Sequence, residues 1–213
     1  IVLNIGLGMD PAWVGLLGAI PRISDALTDP LVGYLSDHTK TLWGRRRPWL
    51  LVGAISAGIL FALLWQIPRG ISLEAVFWIF LVGSFVFYLA YTVFATPWVA
   101  LGYELTPDYH ERTRLMGVQN WLGQLAYVIS PWFLWFMTKE DWFSDQLEGA
   151  SVLAILVGLA AAGLGVLPAL LLRERSLAAE TEAEEEGSSL WATVLDFLGG
   201  LRTTLSSPAF LKL

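Results

Sequence analysis

The sequence has no cysteine and only two histidines in 213 residues. Disulfide frameworks and thiolate metal sites are therefore excluded. His38 and His110 lie in polar links and fit no metal-binding pattern. Charge is scarce as well: Asp, Glu, Lys and Arg make up 15% of the chain, against 55% hydrophobic residues and a mean hydropathy of +0.59. A soluble domain of this size needs far more polar surface. The net charge of −6 says little about partners, because Glu180, Glu182, Glu184, Glu185 and Glu186 supply five of the negative charges in one tail. No Ser/His/Asp set, zinc motif or phosphate loop occurs, so the chain is not read as an enzyme. What it does have is eleven tryptophans and long apolar runs, which suit membrane interfaces and spans.

A span needs about 20 apolar residues to cross ~30 Å of hydrocarbon. Five segments qualify: 12–36, 48–68, 74–102, 115–137 and 150–172. Pro, Gly or charge marks each boundary. "IVLNIGLG" at the start reads as the last turns of an earlier span, and "SSPAFLKL" at the end as the beginning of a later one, so part of a longer protein is expected. Alternate links carry Lys40 and Arg45 to Arg47, then Arg112 and Arg114, then Arg173 and Arg175, whereas the other links carry only Arg69 and Lys139. That asymmetry places 38–47, 103–114 and 173–207 in the cytoplasm.

After Arg175, the stretch "LAAETEAEEEGSS" reads as a disordered linker. Leu190, Trp191, Val194, Leu195, Leu198, Leu201 and Leu205 then recur at helical spacing. They make either a surface-lying helix or a simple connector. A long soluble link followed by a further span is the pattern of a two-half transporter.

Three features stand out against this apolar background. The first is "PRISDALTDPLVGYLSD", residues 21–37, which buries charge inside a span. At 1.5 Å per residue back from Asp37, Asp29 lies about 12 Å and Asp25 about 18 Å from the inner boundary. Arg22, Asp25 and Asp29 fall on one helical stripe. An ionised carboxylate facing lipid at that depth would cost ~3 kcal/mol or more. An Arg22–Asp25 pair would satisfy one acid and leave Asp29 over. Two acids one turn apart with Thr28 between them form an oxygen-rich site for a hard cation or a proton.

The second feature is the end of the same span, where Gly33 and Asp37 precede "HTKTLWGRRRP". A carboxylate facing an arginine cluster makes a charge-assisted latch, while positive-inside anchoring alone would explain the arginines. The third is "YTVFATPWVALGYELTPDYHERTRL", residues 91–115. Here Pro97 is expected to interrupt a helix in mid-membrane, ahead of a mixed-charge link containing Glu104, Asp108, Glu111, Arg112 and Arg114.

"SDALTDPLVGYLSDHTKTLWGRRRPW" and "PWVALGYELTPDYHERTRL" together resemble the glycoside–pentoside–hexuronide:cation symporters, the melibiose-permease-like family of the major facilitator superfamily. The resemblance covers nearly the whole chain. It implies an all-α polytopic membrane protein of twelve helices in two bundles with alternating access. This chain would be the N-terminal six-helix bundle without most of its first helix (1–172), then a cytoplasmic middle loop (173–207) and the start of a seventh helix (208–213).

The family's two cation-binding aspartates match Asp25 and Asp29, the asparagine between them matches Thr28, and a threonine of the fourth helix matches Thr92. Na⁺ or H⁺ is the implied coupling ion, with no other cofactor. The family's galactoside-binding aspartate falls at Ala95, its fifth-helix arginine near Asn120, and its stacking tryptophan at Val99, beside Trp98. Galactoside specificity is thus not implied. Arg22, Tyr91, Trp98, Asn120, Gln119, Trp121 and Gln124 are the candidate groups for a sugar. Gly33, Gly44, Asp37, Arg45, Arg46, Arg47, Glu104 and Arg112 are candidates for a cytoplasmic gate.

The expected function is cation-coupled symport of a sugar or glycoside by a monomer in the bacterial inner membrane. Its partners would be a small solute and the bilayer, with no nucleic acid. The rivals are the same fold carrying a lysophospholipid, and a non-transporting receptor or scaffold.

Overall fold

The computed structural model describes residues 2–139, 141–172 and 199, and every element among them is helical. A short π-helical turn, Val2–Gly6, leads through Gly8, whose φ of 71° is a left-handed conformation, into five long helices. These are α1 (Pro11–Asp37), α2 (Arg47–Leu64), α3 (Leu73–Glu104), α4 (Tyr109–Met137) and α5 (Gln146–Leu171). Each coincides with a predicted span. The amphipathic segment 190–205 and the start of the seventh helix lie outside the described residues apart from Gly199.

Four of the five long helices, all but α2, begin where a side chain supplies an acceptor for the first free N–H groups. Asp10 accepts from the Ala12 N–H, Ser72 from Ala75, Asp108 from Glu111 and Asp145 from Glu148. At α4 and α5 a glutamate reaches back. Glu111 accepts from the Thr106 hydroxyl and Glu148 from the Ser144 N–H, closing reciprocal caps. These caps explain why α4 starts six residues before its apolar run. Hydropathy marks the hydrocarbon-embedded part, whereas the helix extends to its cap, so only 105–108 of the expected link 103–114 is non-helical. Pro97 likewise does not end α3, which runs unbroken for 32 residues. The proline only withdraws the N–H that would have met the Val93 carbonyl.

By length and composition α2, α3 and α5 suffice to cross a membrane. Helices α1 and α4, with 27 and 29 residues, are long enough. They are more polar, α1 through Arg22, Asp25 and Asp29, and α4 through its first turns together with Gln119, Asn120 and Gln124.

In the bundle, α1 packs on α3, α3 on α2, and α2 on α5. Small residues set the closest crossings. A Cβ added at Gly58 would lie 2.5 Å from the Gly158 carbonyl oxygen, and one at Gly53 would lie 2.5 Å from the Phe94 nitrogen. One apolar cluster (Leu3, Met9, Leu17, Ile67, Val76, Phe80) closes one end. A second (Leu50, Leu101, Ala169) closes the end that carries Arg45 to Arg47, called here the basic end. Helix α4 has no buried residue. It approaches α3 where Met116 meets Gly102, and α5 where Met137 meets Gly149.

Candidate functional site

Helices α1 and α3 lie side by side and run in the same direction, so a stripe on one meets a stripe on the other. Trp13 contacts Phe77 (centroids 5.1 Å apart), Arg22 faces Tyr88, Asp29 faces Thr92, and Gly33 faces Thr96. Thr92 is 2% exposed, and its hydroxyl donates to Asp29 Oδ1 at 3.0 Å. Asp25 Oδ1 is buried, and among the described residues no donor reaches it. The Arg22 guanidinium does not pair with Asp25; its Cζ lies 5.7 Å from the centroid of the Tyr88 ring. The Thr28 hydroxyl donates to the Ser24 carbonyl at 3.1 Å, and the Ser24 hydroxyl donates to the Pro21 carbonyl. Each hydroxyl oxygen therefore keeps acceptor capacity. One guanidinium against two carboxylates leaves one formal negative charge, and the side-chain acceptors of Ser24, Asp25, Thr28, Asp29 and Thr92 are all oxygen. Such a set suits a hard monovalent cation or a proton.

The remaining candidate residues are spread more widely. Tyr91 is exposed beside Thr92, and its ring stacks on Phe87. Trp98 is not brought to the charged stripe. It stacks on Phe94 at 6.2 Å and 11° and packs against the Leu50–Leu101–Ala169 cluster on another face of α3. Asn120, Trp121 and Gln124 are exposed on α4, and among the described residues no hydrogen bond or ring contact ties them to α1 or α3.

At the basic end, three consecutive arginines reach three different helices. Arg45 donates to Glu104 on α3 at 2.6 Å. Arg46, 4% exposed, donates to Asp37 on α1 through Nε at 2.9 Å and ion-pairs with Glu104 at 2.7 Å. Arg47 points the other way, onto the last carbonyls of α5, with 2.6 Å to Ala169 O and 3.1 Å to Leu170 O. Gly44 turns the loop at a φ of 108°, which disfavours any side chain there. Arg112 stands apart, donating to the Thr106 carbonyl of its own link.

Sequence reading missed Tyr88, Ser24 and Thr96. A signal was present for two of them: Ser84, Tyr88, Thr92 and Thr96 recur every fourth residue along an otherwise apolar helix. That spacing makes one row on a helix face.

The family described as MFS/sugar transport protein matches residues 3–213. The chain belongs to that family. Its relatives include the inner membrane symporter YicJ of Escherichia coli, 34% identical over 119 residues, which are 56% of this chain and 25% of that protein. The isoprimeverose transporter of Lactiplantibacillus pentosus is 32% identical over 124 residues, covering 57% of this chain and 25% of the relative. The sodium-dependent lysophosphatidylcholine symporter 1 of Gallus gallus is 32% identical over 105 residues, covering 49% and 20%. The matched stretches thus span a quarter or less of these relatives. Membership in that family and the long apolar helices place the chain in a membrane.

Proposed function

We propose that this chain is the N-terminal bundle of a cation-coupled sugar or glycoside symporter of the plasma membrane, in a bacterium the inner membrane. The observation that carries the reading is the pair Asp25 and Asp29 on a helix long enough to span a membrane, one acid held by Thr92 and the other with a buried oxygen that no described donor reaches. A carboxylate oxygen left this way inside a span is costly unless a positive ion meets it. Asp25, Asp29, Thr28 and Thr92 would hold the ion. Coupling follows when ion and solute favour the same conformer, since each then raises the affinity for the other.

Residues 1–172 would form the transmembrane bundle, 173–207 the cytoplasmic middle loop and 208–213 the start of the next helix. The polar row of α3 with Arg22 and Tyr91 would face the solute. The family description favours a sugar. Similarity to a lysophosphatidylcholine symporter supports a second reading, a lipid-like solute on the same scaffold.

The test is uptake by the full-length protein in proteoliposomes under Na⁺ or proton gradients. Asp25→Asn should abolish gradient-driven accumulation while leaving insertion unchanged. Undiminished accumulation in that variant overturns the reading. Parallel assays with labelled sugars and with a lysophospholipid decide the solute, and Na⁺-free buffer with a proton gradient decides the ion.

A further inference from the structure

Tyr88 is an aromatic residue within a polar row, one turn from Thr92, and the guanidinium of Arg22 rests over its ring. Arg22 lies three residues before Asp25, a spacing at which opposite charges on a helix readily pair. Attraction between them in a medium of low dielectric is strong. Yet among the described residues no ion pair joins the two, and Asp25 Oδ1 has no donor. The ring of Tyr88 supplies the alternative seat, because a guanidinium is drawn to the negative face of an aromatic ring, the more so away from bulk water.

We propose that Tyr88 is a positioning residue that keeps Arg22 off the carboxylate pair, so that the acids are free when the coupling cation arrives. This rests on the cation-symport reading above. If Arg22 swung onto Asp25 it would occupy the oxygen that no described donor reaches, and its charge would offset half of the negative field the cation meets. Helix α3 therefore contributes to the site twice. Thr92 orients Asp29 by a hydrogen bond, and Tyr88 holds the competing positive charge one turn away. The charged groups beside Asp25 on α1 are Arg22 and Asp29, and α3 meets these two through Tyr88 and Thr92 respectively.

The experiment measures cation binding directly, with no need for transport. Purified full-length protein is unfolded thermally while Na⁺ and, separately, proton concentration are titrated, because a ligand of the folded state stabilises it by RT ln(1 + [L]/Kd), so the half-saturating concentration is fitted from the rise of Tm with ligand. Four proteins are compared: wild type, Tyr88→Phe, Tyr88→Leu, and Tyr88→Leu combined with Arg22→Gln. The phenylalanine variant retains a ring and should keep the half-saturating cation concentration within about twofold. The leucine variant should raise it about tenfold, the order of a desolvated cation–π contact. The double variant should return it to the wild-type range, because the competing guanidinium is gone.

A leucine variant that binds the cation like wild type overturns this inference and leaves the symport reading intact. A double variant that stays as weak as Tyr88→Leu also overturns it, since the ring would then act through packing alone. A wild type that responds to neither ion overturns both.

Discussion

Thr92 and Arg46 are among the few polar residues buried in this bundle, and each is matched to a carboxylate. Thr92 gives its one proton to Asp29, so Thr92→Val should weaken cation binding about fivefold through the lost hydrogen bond, whereas Thr92→Ser should keep it. The half-saturating ion concentration for uptake checks this pair. Arg46 sits between Asp37 and Glu104, whose side chains stay 44% and 42% exposed. Water can rehydrate those carboxylates once the guanidinium is removed. Arg46→Met should therefore cost about 1–2 kcal/mol, short of the 3–5 kcal/mol of a fully buried pair. A lowered Tm of the purified protein, with Arg46→Lys failing to restore it because a bidentate fork is lost, is the expected result.

At the scale of elements, the arginine triplet works as a clip within one bundle. Its three side chains tie the start of α2 to α1, α3 and α5, so the charges expected of a cytoplasmic gate hold helices of the same bundle to each other. Arg47 also places a positive charge on the carbonyl end of α5, where the helix dipole favours it. The α2–α5 seam depends on the absence of side chains. Gly158→Leu should separate the helices and lower Tm or the folded yield sharply, because the new atoms would meet the Gly58 backbone. Gly163→Ala is the matched control, since nothing lies within 4 Å of a Cβ there, and it should be neutral or slightly stabilising. Size-exclusion profiles and thermal unfolding of the two variants separate these outcomes.

For the whole molecule, sidedness is open to direct measurement because the chain has no cysteine of its own. Leu42, fully exposed in the basic loop, and Trp142, exposed between α4 and α5, lie in links separated by three helices, α2, α3 and α4, and so on opposite sides. In intact cells a membrane-impermeant maleimide should label Trp142→Cys and spare Leu42→Cys, and permeabilised cells should label both. The reverse pattern would invert the orientation read from the arginines.

Much of this was legible along the chain. Hydropathy located all five helices, and a carboxylate stripe in an apolar helix announced itself by its cost in lipid. Caps are less visible, so α4 begins earlier than its apolar run indicates, and Pro97 suggests a break although the neighbouring turns hold α3 together.

The sequence by itself determined membrane residence, the positions of the helices and the placing of Arg22, Asp25 and Asp29 on one stripe, because these depend on composition and the 3.6-residue period. Only the tertiary structure decided how each helix is rotated about its own axis. Close contacts at Gly53 and Gly58 fix those rotations. They turn Thr92 and Tyr88 toward α1 and carry Trp98 into packing, a choice that no local periodicity encodes.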